Sequence, residues 1–328
     1  MTTFASAPVA VIDVGSVSCQ LLITDGTTRL RRSMDTLLGG ASMTTTGTVS
    51  GRAVDAAGLD RLRAALDQHR AAIDEIGVGD RLRVVTTSVG RRATNVAELI
   101  DVVTGVVGVA PEVIDGETEA RLAFAGAVGE GRFTAEVDDP VLTVDVGGGS
   151  TDLAFGSAVS GTTGLVSLPV GGDLLTSAYF DSDPPRPEEL SAALSVVELH
   201  LDDVRRDVPA LMPALETVTV IGLGAVVTLA AIEIGLADVD PLNGDGDGPL
   251  DGFQLERDAL EDVFRTIATE NREDRAFNPG LPPTRVDGIV GACAIVAETM
   301  RQFDLDAITV SQRGLVDGVA SEMLTAVG

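Results

Sequence analysis

The 328-residue chain is 45 % apolar, contains two cysteines and sets 50 acidic against 23 basic side chains, every base being arginine, for a formal charge of −27. That charge disfavours nucleic acid and anionic membrane surfaces as partners, and no apolar run reaches membrane-span length, so a soluble chain of about two domains is expected. The opening residues lack a basic leader, and cleavage there would remove Asp13. With Cys19 and Cys293 read as buried small hydrophobes, the chain is expected to be cytoplasmic.

In chain order, Val9–Val14 and Gln20–Thr24 read as a strand pair, and residues 50–76 as one long amphipathic helix on the spacing of Ala53, Leu59, Leu62, Leu66 and Ile73. Leu82–Thr86 is strand-like, Val96–Val107 helical and Glu112–Ile114 a short strand, and Asp115 opens a further helix. Val141–Val146, Thr151–Gly156 and Gly164–Leu168 read as strands, and Pro184-Pro185-Arg186-Pro187 precedes a helix from Glu188 to about Val208. Val218–Leu223 is a strand ending in Gly224, followed by an apolar helix over 226–235 and a loop insertion over 238–252. That insertion superficially resembles a calcium loop through Asn243, Asp245, Asp247, Gly248 and Asp251, but Asn243 and Gln254 stand at its end positions, so bidentate closure is missing. His69 and His200 have no partner at metal-ligand spacing and are expected at the surface.

Two segments carry chemistry. Val141–Asp152 is an apolar strand that delivers one acid, Asp145, into the turn Gly147-Gly148-Gly149-Ser150, where the glycines let backbone N–H groups approach an oxyanion. Asp13-Val14-Gly15-Ser16 repeats the idea near the start. Two such turns suggest two facing lobes gripping one phosphate, and interleaved strands and helices suggest a duplicated α/β fold.

In their order these segments resemble the exopolyphosphatase and guanosine-pentaphosphate phosphohydrolase (Ppx/GppA) family, short actinobacterial type. The resemblance rests on both Asp–Gly turns, Thr87-Ser88-Val89-Gly90-Arg91-Arg92, Gly116-Glu117-Thr118-Glu119-Ala120, Asn278-Pro279-Gly280-Leu281, Arg285-Val286-Asp287-Gly288-Ile289 and Ser311-Gln312-Arg313-Gly314-Leu315. It implies an α/β fold of two ribonuclease H-like lobes (the actin/Hsp70/sugar-kinase superfold) around an interlobe cleft. Lobe I would span 1–125, lobe II 126–311, and a helix over about 312–328 would pack back on lobe I. It also implies Mg²⁺-dependent release of terminal orthophosphate from polyphosphate by in-line attack of water, with Mn²⁺ as the alternative cation. By the same resemblance Glu119 is the base; Gly15, Ser16, Arg91, Gly147, Gly148, Gly149 and Ser150 bind phosphate; Asp13, Asp145 and Asp152 serve the metal; and a homodimer is expected.

The departures cluster at ligand-facing positions. Val17 stands for Asn, Arg92 and Thr118 for acids, Asp152 for Glu, Leu174 and Val316 for Arg, and Ala225 for Thr. Each lost charge-assisted hydrogen bond to phosphate is worth about 1.5–3 kcal/mol. The sequence therefore keeps open a weakened sensor or hydrolase of guanosine pentaphosphate-type nucleotides, and a sugar- or acetate-type kinase. The chain ends where longer relatives append a helical domain, which favours short polyphosphates or a nucleotide polyphosphate end.

Overall fold

The computed structural model describes residues 3–38, 43–45, 52–129, 131–236, 244–245 and 248–326. The first half forms β1 (Val9–Val14), β2 (Ser18–Thr24), β3 (Arg29–Asp35), β4 (Met43–Thr45), β5 (Arg52–Val54), α1 (Ala56–Ile76), β6 (Leu82–Thr86), α2 (Ser88–Arg92), α3 (Val96–Val107), β7 (Glu112–Val113) and α4 (Gly116–Val128). The second forms β8 (Val141–Val146), β9 (Thr151–Ser157), β10 (Gly161–Leu168), α5 (Gly172–Tyr179), α6 (Pro187–Asp207), β11 (Thr219–Gly224), α7 (Ala225–Glu233), β12 (Gly244–Asp245), β13 (Gln254–Glu256), α8 (Arg257–Thr269), α9 (Arg272–Arg275), α10 (Ile289–Gln302), β14 (Ala307–Val310) and α11 (Leu315–Thr325).

Two six-stranded sheets result, in the orders β12-β3-β2-β1-β6-β7 and β10-β9-β8-β11-β14-β13. In each, the strand carrying the Asp–Gly motif is central, antiparallel to its hairpin partner and parallel to the strand on its other side. This repeated order is the ribonuclease H-like pair of lobes implied by the resemblance. All six residues of β1 are buried because helices or their side chains cover both faces, which explains its near-continuous apolar run.

Outer helices close each lobe: α1 and α3 bury Leu62, Leu66, Ile73, Leu99 and Val103 against the first sheet, and α6, α7, α8 and α10 cover the second. Between the sheets lie α4 and α11. Ala123, Phe124 and Ala127 of α4 pack on Val141, Ala154 and Leu223 of the second sheet, whereas Leu122 joins Leu315 and Val319 of α11 against Val9, Val11 and Leu22 of the first. Thus α4, which crosses residue 125, contributes to both lobes. The two helices approach so closely that a Cβ on Gly126 would stand 2.0 Å from the Gly314 carbonyl oxygen, and one on Gly318 1.9 Å from that of Leu122. Arg31, buried on β3, places Nη2 2.8 Å from both carboxylate oxygens of Asp317 on α11. Breaking such a pair from one side costs about 3–5 kcal/mol.

Three expectations are corrected. The first helix starts at Ala56, not near residue 50: the Asp55 carboxylate caps it by accepting from the Gly58 N–H at 2.6 Å, and Arg52–Val54 instead pair with β4. His69 is fully buried, with Nε2 3.1 Å from the Cys19 carbonyl oxygen, and His200 is half-buried. The 238–252 insertion is not merely a loop, since Gly244–Asp245 add an antiparallel edge strand to β3. Its residues 238–243 and 246–247, including Asn243 and Asp247 of the calcium-like pattern, lie outside the described residues. Asp251 is engaged elsewhere, accepting from Arg132 and from the Gln312 N–H. Both cysteines are free and buried, as expected, and burial pushes both thiols up.

Candidate active site

The two glycine turns are built alike. The Gly15 N–H donates to the Ser18 carbonyl oxygen at 3.0 Å, and the Gly147 N–H to that of Ser150 at 2.9 Å. In both, a Cβ on the glycine would press on the carbonyl it bonds, at 3.2 and 3.3 Å, which is why each turn opens with Gly. The turns face one another: a Cβ on Gly149 would lie 3.3 Å from Ser16 Oγ and 2.1 Å from Ser88 Oγ, and one on Gly148 2.9 Å from the Val17 side chain. A cavity of about 180 Å³ runs past both turns, lined also by Asp13, Glu119, Asp145 and Arg285.

Strand geometry gathers the acids. Asp13 is the fifth residue of β1; Asp145 holds the same place in β8 and lies opposite Asp152 in the β8–β9 register. Glu119 comes from the first turn of α4, whose cap, Asp115, accepts from the Thr118 N–H at 2.7 Å; its side chain is 13 % exposed. Arg91 Nη1 lies 2.7 Å from Glu119 Oε2. Arg91 thus holds the acid, without itself lining the cavity; Asp152 is likewise set behind the cavity wall, accepting from Ser150 Oγ at 3.2 Å. Arg92 reaches the Gly149 carbonyl oxygen at 3.4 Å.

Burial and crowding raise the proton affinity of all four acids. Asp13 is pushed up to about 7 by burial and by Asp145, and Asp145 to about 7 by burial and by Asp152. Glu119 is raised by burial, Asp152 and Asp13, with Arg91 opposing; Asp152 is raised by burial against the Ser167 hydrogen bond, Arg91 and Ser150. Oδ1 of Asp13 and Oδ1 of Asp152 are buried and accept no hydrogen bond. Buried acceptors are normally partnered, so these oxygens suit a hard cation. Among the described residues no three His, Cys, Asp or Glu side chains form a metal cage by themselves. The donor set fits Mg²⁺, which takes one or two carboxylates and fills its shell with water and phosphate.

Several cavity residues had no role in the sequence reading. Arg285 was visible within its motif, and its Nη1 donates to Thr228 Oγ1 at 3.0 Å. Ser88 likewise lies within a quoted motif, whereas Asp173 and Arg31 lie outside the quoted motifs. Across the cleft mouth the Thr284 hydroxyl donates to Asp35, while the N–H groups of Thr36 and Leu37 both hold the Val17 carbonyl oxygen at 2.8 Å.

Two similar lobes, a glycine turn from each and buried carboxylates between them suit a phosphate-handling protein of the two-lobed α/β class. The model of the Ppx/GppA phosphatase family matches residues 40–327, and the chain belongs to that family. It is 31 % identical to exopolyphosphatase 2 of Mycobacterium tuberculosis, over 95 % of this chain and 97 % of that protein. Among solved structures, an exopolyphosphatase-like protein superposes with a TM-score of 0.86 at 28 % identity, covering 98 % of this chain and 100 % of the other. The Aquifex aeolicus Ppx/GppA family member gives 0.74 at 29 % identity, covering 98 % and 99 %. No helix among the described residues is long and apolar enough to cross a membrane.

Proposed function

We propose that the protein is a cytoplasmic exopolyphosphatase that releases terminal orthophosphate from inorganic polyphosphate, short chains favoured, with Mg²⁺ or Mn²⁺ as cofactor. The observation that carries this reading is the convergence of Glu119, Asp13, Asp145 and Asp152 beside two facing glycine turns. The Gly15 and Gly147 N–H groups close the two turns and the Ser150 hydroxyl holds Asp152, which leaves the amides of Ser16, Gly148 and Gly149 and the Ser16 hydroxyl to hold the terminal phosphoryl group. Asp13 and Asp145 hold the cation directly or through water, with Asp152 behind them. When bound, the cation neutralises phosphate charge and polarises a phosphoryl oxygen. Glu119 accepts the proton of the attacking water, and its raised proton affinity makes it an effective base once ionised. Arg91 keeps that carboxylate oriented and favours its charged form. The shortened polyphosphate leaves from the face opposite the water.

The test is orthophosphate release from tripolyphosphate and from long-chain polyphosphate, with Mg²⁺ or Mn²⁺, for the wild type and Glu119→Gln. Release that disappears in the variant is expected; no release by the wild type with either cation would overturn the reading. A second reading, binding or hydrolysis of a guanosine pentaphosphate-type nucleotide, draws on the apolar stretch of cavity wall formed by Ala225, Val227, Ile289 and Ala292, which suits a nucleoside better than a bare polyanion. Competition by that nucleotide against polyphosphate hydrolysis distinguishes the two.

A further inference from the structure

We propose that Asp173, on the cavity wall contributed by α5, sets how many phosphates the cleft accepts: its carboxylate stands where a phosphate beyond the terminal ones would pass, and so disfavours long chains. The proposal rests on the polyphosphate reading above and names its length determinant.

The start of α5 is pressed against the second glycine turn. A Cβ on Gly171 would lie 2.5 Å from the Gly148 carbonyl carbon. The N–H groups of Gly172, Asp173 and Leu174 are taken by the carbonyl oxygens of Gly147 and Gly148, at 2.9, 3.1 and 3.2 Å. The first N–H groups of this helix therefore serve the turn and are not offered to an anion. What faces the cavity instead is the Asp173 side chain. Its Oδ2 lies 2.5 Å from where a Cβ of Gly148 would be, beside Val17 of the opposite lobe, and its Oδ1 lies 2.1 Å from the corresponding point on Gly288. Among the described residues the carboxylate accepts no hydrogen bond and makes no ion pair.

The charges around Asp173 decide its effect. Burial pushes it up to about 6, Arg285 opposes the rise and Asp287 adds to it, so the group is ionised at neutral pH and above. Arg285, which lines the cavity together with Arg31 and Arg313, is the cation that bears on Asp173, and Asp173 offsets its field. A polyphosphate chain leaving the turns on this side meets an anion and the Val17 isopropyl group where further phosphates need donors. Repulsion between a carboxylate and a phosphate in a partly desolvated site grows with each phosphate that must pass. Leu174, next in sequence, supplies no compensating charge.

The experiment compares Asp173→Asn, which keeps the side chain's shape, with the wild type. The readouts are kcat/KM for tripolyphosphate and long-chain polyphosphate, and calorimetric binding of both polymers in the Glu119→Gln background. Removing one charge at this range is expected to raise the long-to-short ratio about tenfold in both readouts. An unchanged ratio, including one in which both polymers change equally as a purely structural role would dictate, overturns the proposal. If the wild type hydrolyses neither polymer yet Asp173→Asn shifts the binding ratio, the catalytic reading fails and the length determinant stands. Binding of neither polymer overturns both.

Discussion

Arg91 and Glu119 are locked together by one donor: the same Nη1 lies 2.7 Å from Glu119 Oε2 and 2.8 Å from the Ile114 carbonyl oxygen. The arginine thus pins the acid to the segment just before its own helix. Glu119→Gln is expected to lower kcat at least about 100-fold while leaving polyphosphate affinity largely intact, measured by steady-state kinetics and calorimetry. Retained turnover would remove Glu119 from the role of base.

Arg91→Gln acts differently. Its guanidinium opposes the rise in Glu119 proton affinity, so its loss raises that affinity further, and the base is then ionised only at higher pH. The acid limb of the kcat/KM profile is expected to move to higher pH, with Arg91→Lys recovering part of the shift. A profile that falls in height without moving would make Arg91 a phosphate ligand instead of a positioning residue.

Asp145→Asn removes one of the two acids assigned to the cation and relieves its like-charged neighbour Asp13. The Mg²⁺ concentration for half-maximal activity should rise at least about tenfold. An unchanged metal titration would remove Asp145 from the cation site.

The same acids couple stability to pH. Asp13 and Asp145 move from an ordinary 3.8 to about 7 on folding, so between those limits the native state binds more protons than the unfolded chain. Their contribution to stability is full below about 4 and is lost as pH rises through about 7. In metal-free buffer, wild-type Tm relative to Asp13→Asn/Asp145→Asn is expected to fall across that window, and added Mg²⁺ to restore it. Parallel Tm curves for the two proteins would show that the carboxylates are not burdened in this way.

Gly318→Ala tests the helix crossing between the lobes. Its Cβ would meet the Leu122 carbonyl oxygen at 1.9 Å, a backbone atom that cannot rotate away. The usual gain of about 1 kcal/mol for Ala over Gly in a helix is outweighed, and overpacking costs about 1–3 kcal/mol, so a lower Tm is expected. An unchanged Tm would show that α4 and α11 separate freely.

Both Asp–Gly turns and the central strands were legible because each combines a local apolar run with local turn chemistry. Glu119 was legible only through resemblance, since Glu117 has the same helix-dipole rationale and no pattern separates them. What stayed hidden depends on distant partners. Arg31 looks like one more charge in Arg29–Arg32 until Asp317 is brought against it from 286 positions away. His69 sits in a polar helical stretch, yet its ring faces the β2 backbone. Ala53 fits the helical period by coincidence, and only the fold shows that Asp55 caps the first helix and ends the pattern there. Asp173 is hidden because nothing in the sequence shows that the start of α5 folds back between Gly148 and Gly288, which lie 25 positions before it and 115 after it.

The packing of α11 on the first sheet has a consequence for the order of synthesis. Val9, Val11 and Leu22 emerge long before their covering residues Leu315, Val316 and Val319 are made. On the ribosome, the second sheet and its outer helices can close while one face of the first sheet is still bare. A nascent chain arrested before residue 315 is therefore expected to bind a hydrophobic dye, or a chaperone, at that face. Lobe I, though first in sequence, is the lobe that must wait.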